Sequence, residues 1–434
     1  MHELSSAIPF ALRTLLLMLL ASAPAAVYAS ASDDAFAAFA QRQAALLQLA
    51  AGGGAKALST ASAADAIFGN DFEAAPQDCS SDRDGDALPD CAETGTNTYN
   101  GIADAGTDPD NADSDGDGLS DGDEVFGTAG GLDLPALGVS PLRRDLLLEY
   151  DWFEDATGCA RHSHAPAPAV LDRVARIFAN AGVVNPDGST GINIIQDHGQ
   201  GGVFVGGNLV TGYAADLPGT FDSTWMEIRE GNFAAERRGY FRYVLMPHRY
   251  NGTSSSSGYA EVVGDDAIVS MGCALQEEWI ANTIVHEVGH LLGLHHGGFE
   301  ACNGKPNYNS LMNYRYQFAG IDATCTASSS ADADLSHGER LLIDENAVNE
   351  HQGVCGAPAI DWDADGTLTD ALTLDLNPEH AASCGGQQLR TLRDFDDWNN
   401  LTFLGVLDAR AKLGSLQSEA SCAGAPLPGA RQPR

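Results

Sequence analysis

Apolar positions in the middle of the chain alternate between strand-like runs and helical spacing. Leu146-Leu147-Leu148 followed by Tyr150 predicts a buried strand, because parallel strands covered on both faces read as continuous apolar runs. Similar patterns predict further strands at 192–195, 240–246 and 259–271, the last as a candidate edge strand. Apolar residues at helical spacing predict helices over about 168–181 and 275–292. This alternation predicts an α/β fold.

Changes in composition divide the chain into five segments. Apolar residues nearly vanish over 78–130, where Asp and Gly dominate, so this segment needs a source of order other than a core. We expect a signal peptide at 1–29, a spacer or pro-segment at 30–77 with an Ala-rich helical run at 36–49, the Asp-rich segment at 78–130, an α/β domain at 138–415 and a tail at 416–434.

The first residues have the pattern of an export signal. An apolar run at 15–21 follows Arg13, and small residues at 27–29 offer a cleavage site. The run is too short to anchor the chain in a bilayer. We therefore expect a secreted, extracellular or cell-surface protein with no membrane span after signal removal; a retained N-terminal helix is the alternative.

Charge and cysteine content narrow the class of protein. Acidic residues outnumber basic ones by 60 to 23, a net charge of −37 that excludes a nucleic-acid partner. All nine cysteines lie beyond residue 78, which in an exported protein predicts about four disulfides and one free thiol. Proximity alone suggests the pairs Cys79–Cys91 and Cys302–Cys325. Without a CxxC pair, a cysteine-based zinc site is disfavoured.

The second predicted helix ends in a strong metal-binding pattern, HExxHxxGxxH at 286–296. His286 and His290 lie four positions apart, so both imidazoles share one helix face. Gly293 can end the helix and let the chain return with His296 as third ligand. His295 has the wrong spacing and is the weaker candidate. Three imidazoles leave a coordination position for water, and Glu287 can act as general base beside it.

This motif resembles that of the metzincin superfamily, and a second element supports the likeness. Ser310-Leu311-Met312-Asn313-Tyr314 has the SxMxY form of a metzincin Met-turn, and the wider segment 291–317 is similar to a family of exported bacterial metalloproteases. The resemblance implies a metzincin-like catalytic domain, in which an active-site helix and its cleft separate a sheet-bearing lobe from an irregular C-terminal one. It also implies that Met312 lies beneath the zinc without binding it, and that Tyr314 binds the metal at rest and stabilises the tetrahedral intermediate.

The Asp-rich segment contains two copies of a calcium-loop pattern. Carboxylates occupy loop positions 1, 3, 5, 9 and 12 in both copies, which suits the six to eight oxygen ligands of calcium: Asp82, Asp84, Asp86, Asp90 and Glu93, then Asp113, Asp115, Asp117, Asp121 and Glu124. Without flanking helices on both sides, the copies resemble thrombospondin type 3 repeats more than EF-hands. A solvated acidic linker is the alternative.

Two weaker metal candidates remain. Asp361, Asp363 and Asp365 begin a third calcium-like loop, but Leu372 stands where the acid at position 12 belongs. The pair His162 and His164 could also bind a metal, although an exposed HxH usually does not.

The sequence thus predicts a secreted zinc endopeptidase with protein or peptide substrates and with Zn²⁺ and Ca²⁺ as cofactors. The alternatives are a calcium-organised surface or adhesion protein with a structural or degenerate zinc site, and a zinc hydrolase of non-peptide amides. Substrate preference, activation and oligomeric state do not follow from the sequence.

Overall fold

A computed structural model describes residues 79–252, 255–386, 388–405 and 421–423. The chain divides into two compact units, 1–80 and 81–434, and all that follows concerns the second unless stated. The predicted signal peptide, the Ala-rich helical run and most of the predicted tail lie outside the described residues.

Strands and helices alternate through the second unit, and the longer ones lie between residues 121 and 291. In chain order the elements are α1 (Asp121–Phe126), α2 (Leu134–Leu137), β1 (Asp145–Trp152), β2 (Glu154–Asp155), β3 (His162–Ser163), α3 (Pro168–Ala179), β4 (Asn193–Asp197), α4 (Ser223–Asn232), β5 (Phe241–Met246), β6 (Gly258–Glu261), β7 (Asp266–Val269), α5 (Glu277–Leu291), β8 (Ile343–Asp344), β9 (Thr391–Leu392) and β10 (Ser421–Ala423). Short 3₁₀ turns occur at Ala235–Arg237, Pro378–His380 and Trp398–Asn400.

The central sheet has six strands in the order β10-β6-β7-β5-β1-β4. β1 pairs in parallel with β4 on one side and with β5 on the other, and β5 pairs in parallel with β7. β6 and β10 then add in antiparallel orientation at one edge. The predicted α/β fold is confirmed: the sheet is mostly parallel and carries helices on both faces.

The two faces of β1 pack into different cores, because successive strand side chains point to opposite sides. Leu146 and Leu148 face α3 and α5, whereas Leu147 faces the layer that contains α4. On α3 the buried positions Val170, Val174 and Ile177 follow helical spacing, as the sequence pattern predicts. α5 packs against α3, β6 and β7, which places the HExxH segment directly beneath the antiparallel edge of the sheet.

One strand prediction is wrong, and the helix α4 was not predicted. The segment 259–271 is not one strand but the hairpin β6–β7, with Gly264 in its turn; an added Cβ at Gly264 would lie 2.1 Å from Glu261 Oε2. The sequence pattern does not predict α4, because its buried face is short and includes a charged residue: its buried residues are Trp225, Ile228 and Arg229. Asp222 caps this helix by accepting a hydrogen bond from the Trp225 amide, at 3.0 Å.

Disulfides connect distant parts of the described chain. Cys159 pairs with Cys273, Cys302 with Cys384, and Cys325 with Cys355. The predicted Cys302–Cys325 pair is therefore wrong: folding brings Cys384 to Cys302 from 82 residues away, which proximity in sequence cannot reveal. Cys79 and Cys91 are both disulfide-bonded. Among the described helices, none is long and apolar enough to cross a bilayer.

Candidate active site

The helix α5 presents the first two histidines of the motif from one buried face. Glu277 and Glu278 lie in its first turn, where their negative charges interact favourably with the positive end of the helix dipole. At the other end Gly293 has a φ of 91°, a left-handed conformation that glycine adopts without strain. The Leu294 amide then donates to the Gly289 carbonyl at 2.9 Å, and the reversed chain carries His296 back to the helix.

His286, His290 and His296 converge on one point. Nε2 of His290 lies 3.2 Å from Nε2 of His286 and 3.2 Å from Nε2 of His296. Zinc–nitrogen bonds of about 2.0–2.1 Å at tetrahedral angles separate two nitrogens by about 3.3 Å, so these spacings fit Zn²⁺. His295, in contrast, uses its backbone amide in a turn with Gly298, at 2.8 Å.

Hydrogen bonds from Nδ1 to backbone carbonyls fix the tautomer of two of these imidazoles, with the proton on Nδ1. His286 Nδ1 donates to the Leu311 carbonyl at 2.8 Å, and His290 Nδ1 donates to the Leu294 carbonyl at 2.7 Å. Burial lowers the pKa of His286 to about 4 and holds the pKa of His290 well below its usual range. Both rings are therefore neutral, and their Nε2 lone pairs face each other. A cation between them removes this repulsion.

Glu287 carries a fully buried carboxylate on α5. Its side chain is 0% exposed, and neither oxygen has a hydrogen-bond partner among the described residues. Burial raises the pKa of Glu287 well above its usual range. The space it occupies exists because residue 258 is glycine: an added Cβ there would lie 2.3 Å from Glu287 Oε1. A desolvated acid of this kind, on the helix that carries two of three converging imidazoles, is typical of an active site.

The predicted Met-turn lies directly under α5. Met312 is fully buried, and an added Cβ at Gly289 would lie 2.3 Å from its sulfur. Tyr314 is partly exposed, with its ring centroid 4.4 Å from that of His296 and 5.9 Å from that of His286. The structure thus places Met312 against the helix and Tyr314 beside the imidazoles.

A buried acid far along the chain, Asp397, holds this turn. Its carboxylate accepts hydrogen bonds from Tyr308 Oη at 2.8 Å and Ser310 Oγ at 2.6 Å. Ser310 in turn accepts from the Met312 amide at 3.1 Å. Burial raises the pKa of Asp397 to about 7. Sequence reasoning missed Asp397, and the sequence near it offers no motif that could have identified it.

A buried lysine, Lys305, holds the turn that follows His296, as Asp397 holds the turn around Met312. Its buried ammonium donates to the Gly297 carbonyl at 2.8 Å and to the Arg393 carbonyl at 2.7 Å, and it pairs with Glu300 at 3.2 Å. These bonds fix the turn that follows His296. A lysine in an otherwise apolar and amide-rich run was the available sequence signal, since buried lysines are rare unless paired.

The two acidic loops share one hydrogen-bond pattern, which supports their reading as a repeat. The position 1 carboxylate accepts from a glycine amide at 2.8 Å in each loop, through Asp82 and Asp113. The position 9 carboxylates, Asp90 and Asp121, each accept from the amide at position 2, both at 2.9 Å. A helix, α1, begins at position 9 of the second loop, and within the described chain the first loop has no such helix.

Ligand atoms of these loops gather in at least three groups, each within 4.8 Å: Asp82, Asp84 and Asp86; Asp86, Glu93 and Asp121; and Asp113, Asp115 and Asp117. The second group joins the two loops, since Asp121 belongs to the second and meets acids of the first. The pairing is tight, because an added Cβ at Gly122 would lie 2.1 Å from the Asp86 carbonyl oxygen.

Burial makes these carboxylates costly without a cation. Burial, and then repulsion from neighbouring acids, raises the pKa of Asp115 to about 8 and the pKa of Glu93 to about 8. Both oxygens of Glu124 are buried with no hydrogen-bond partner in the described chain. The third candidate loop differs: Asp361, Asp363 and Asp365 bond mainly within the loop and are more exposed.

Comparison with known proteins adds little to this geometry. No protein-family model matches the sequence, and no curated protein matches it. Among solved structures, the crystal structure of archaemetzincin from Methanopyrus kandleri is similar at a TM-score of 0.22 and 14% identity, over 39% of this chain and 81% of that one. The comparisons assign the chain to no family.

Proposed function

We propose that this chain is an exported, zinc-dependent endopeptidase whose acidic repeats bind calcium. The observation that carries the catalytic part is the convergence of His286, His290 and His296 together with the buried carboxylate of Glu287, which lies on the same helix and has no hydrogen-bond partner among the described residues. The disulfides Cys159–Cys273, Cys302–Cys384 and Cys325–Cys355 support export, because such bonds persist in oxidising compartments.

The donor set suits a catalytic zinc and not a purely structural one. Structural zinc is usually held by four protein ligands, whereas His286, His290 and His296 supply three. When bound, Zn²⁺ supplies Lewis-acid chemistry that activates water and polarises a peptide carbonyl. A structural or degenerate site in an adhesion protein has no need for an acid such as Glu287.

In this proposal Glu287 moves the proton. Its carboxylate takes a proton from the water that attacks the peptide carbonyl carbon, and it then delivers that proton to the leaving nitrogen as the C–N bond breaks. The raised pKa of the buried carboxyl favours the second step, since a protonated Glu287 is a stable species in this site. Tyr314 lies beside His296 and donates a hydrogen bond to the carbonyl oxygen as negative charge develops there.

The start of strand β6 borders the candidate active site. Its first residue, Gly258, lies against Glu287 of α5. β10 pairs with the rest of β6, Tyr259–Glu261, and Gly258 lies outside that pairing. We therefore place the scissile peptide bond beside Gly258 and Glu287.

Zinc removal tests the activity as a whole. Full-length protein from the culture medium should cleave a peptide library at internal bonds and lose at least about 95% of that activity after a zinc chelator, because no protein group replaces the Lewis acid. Zinc added in slight excess should restore it. Cleavage that survives complete removal of zinc contradicts the proposal, and cleavage of amino-acid amides alone favours a non-peptide amidase.

Calcium removal tests the repeats separately. A calcium-selective chelator should make residues 81–130 sensitive to a broad-specificity serine protease, since buried like charges then repel one another. Glu124→Gln should weaken calcium binding by roughly tenfold, because a charged ligand is lost. Glu230→Gln, on the exposed end of α4, is the matched control. Identical digestion patterns with and without calcium would contradict calcium binding and favour the alternative, a solvated acidic linker.

A further inference from the structure

A further group of side chains that could hold a metal ion lies apart from both the zinc motif and the acidic loops in sequence. Each of its four members offers one ligand atom, and these atoms lie within 4.8 Å of one another. We call it the hairpin cluster; it consists of Asp155, His162, His164 and His248. The first three belong to the β2–β3 hairpin or directly follow it, and the fourth comes two residues after β5.

The carboxylate of Asp155 lies at the centre of this cluster. Its Oδ2 is 2.8 Å from Nε2 of His164 and 3.1 Å from Nδ1 of His248. The first contact is a hydrogen bond, whereas the second lacks hydrogen-bond alignment. Both imidazoles therefore approach the same carboxylate oxygen, but only His164 is aligned for a hydrogen bond. This arrangement is the one expected of ligands around a single metal ion.

His248 is the member that most needs a cation. The residue is 0% exposed, and neither ring nitrogen has a hydrogen-bond partner in the described chain. A buried imidazole normally satisfies its polar nitrogens, because leaving them unpaired is costly. A metal ion beside Asp155 accepts the lone pair of His248 and neutralises the carboxylate at once.

His162 can supply the remaining ligand. Its Nδ1 lies 2.9 Å from the Ala160 carbonyl and its Nε2 lies 3.2 Å from the Gly272 carbonyl. A neutral imidazole has one N–H and can donate to one of these oxygens alone, so the other nitrogen keeps a lone pair. Three nitrogens and one carboxylate oxygen match the four-coordinate preference of Zn²⁺.

We propose that the hairpin cluster binds a second zinc ion in a closed, structural site. All four positions are filled by the protein, so no position is left for water or substrate, in contrast to the three-histidine site on α5. The HxH pair that looked weak in sequence gains its other two ligands from Asp155 on the neighbouring strand and from His248, 84 residues beyond His164.

The second zinc would fix the segment that leads to Gly258, the first residue of β6. Tyr250, two residues beyond His248, donates from its hydroxyl to the Gly258 carbonyl at 2.7 Å. Gly258 begins β6 and lies against Glu287. The Cys159–Cys273 disulfide links the same hairpin to the segment after β7, and the Gly272 amide donates to the His248 carbonyl at 3.0 Å.

The zinc content of untagged, full-length protein tests this proposal. After dialysis against metal-free buffer, mass spectrometry of the metal should give two zinc ions per wild-type chain. His248→Ala and His290→Ala should each retain one, and the double variant should retain none. His351→Ala, an exposed histidine outside both groups, should retain two. A zinc content that His248→Ala leaves unchanged, at either one or two ions per chain, overturns the second site.

A second measurement covers the case in which His248→Ala fails to fold. His162 is partly exposed, so His162→Ala removes a ligand with less damage to the core. With cobalt in place of zinc, His290→Ala should keep the intense visible absorption of a four-coordinate ion, and His162→Ala combined with His290→Ala should lose at least half of it. An unchanged spectrum overturns the proposal. Neither readout requires proteolysis, so a chain without peptidase activity could still hold the second zinc.

Discussion

Glu287→Gln is expected to keep its zinc and to lose about 10²–10⁴-fold in kcat/KM, the usual contribution of a general acid–base group. The amide has the same shape but takes no proton from water. Since neither carboxylate oxygen has a hydrogen-bond partner in the described chain, the substitution breaks no bond there. It also removes a desolvated acid, so the melting temperature should stay equal or rise.

Three measurements on one preparation decide this case: zinc content, melting temperature and peptide cleavage. Glu278→Gln is the matched control, because Glu278 lies on the same helix but is exposed in its first turn. It should leave all three unchanged. Cleavage by Glu287→Gln within about threefold of wild type would show that another group handles the proton, and loss of zinc would show that Glu287 supports the metal site instead.

Gly258→Ala should be nearly as damaging, although it changes no charged group. The added Cβ would lie 2.3 Å from Glu287 Oε1 and 2.7 Å from the Ile268 carbonyl oxygen. The second contact is with backbone in the β6–β7 ladder, so the carboxylate must move. A displaced general base should lower kcat by about 10²-fold, since small errors of position are costly in catalysis.

The control for this substitution is Gly231→Ala, in the last turn of α4, where an added Cβ meets nothing within 4 Å. That variant should retain full activity. The zinc content of Gly258→Ala should equal that of wild type, because the histidines are untouched. Normal turnover in Gly258→Ala would mean that Glu287 can leave its position freely, and it would weaken the case for this carboxylate as the base.

Local sequence patterns predict the convergence of the three histidines, because the HExxHxxGxxH spacing depends on contacts within one helix and one turn. His286 and His290 need only helical spacing, and His296 needs only the reversal at Gly293. The buried strand β1 is predicted for a similar reason, since its apolar run reflects burial on both faces.

Contacts across the fold are the part that sequence alone does not reveal. Asp397 reaches Ser310 from 87 residues away, and Cys384 reaches Cys302 from 82. His248 joins the hairpin cluster only because β5 lies beside β1 in the sheet. Local sequence periodicity carries no information about these long-range contacts. A residue that takes part in them therefore looks like an isolated polar residue until the topology is known.

One bond between the acidic repeats and the sheet has a thermodynamic consequence. Asp117, at position 5 of the second loop, accepts a hydrogen bond at 2.6 Å from the amide of Asp145, where β1 begins. β1 is the strand between β4 and β5, so an ion held by that carboxylate is linked to the middle of the sheet. Under the calcium binding proposed above, calcium in the surrounding medium would act as a folding ligand for the α/β domain, adding stability in proportion to the logarithm of its concentration. Inside a cell that keeps free calcium scarce, the same chain would be at its least stable, and the proposed export would complete its folding.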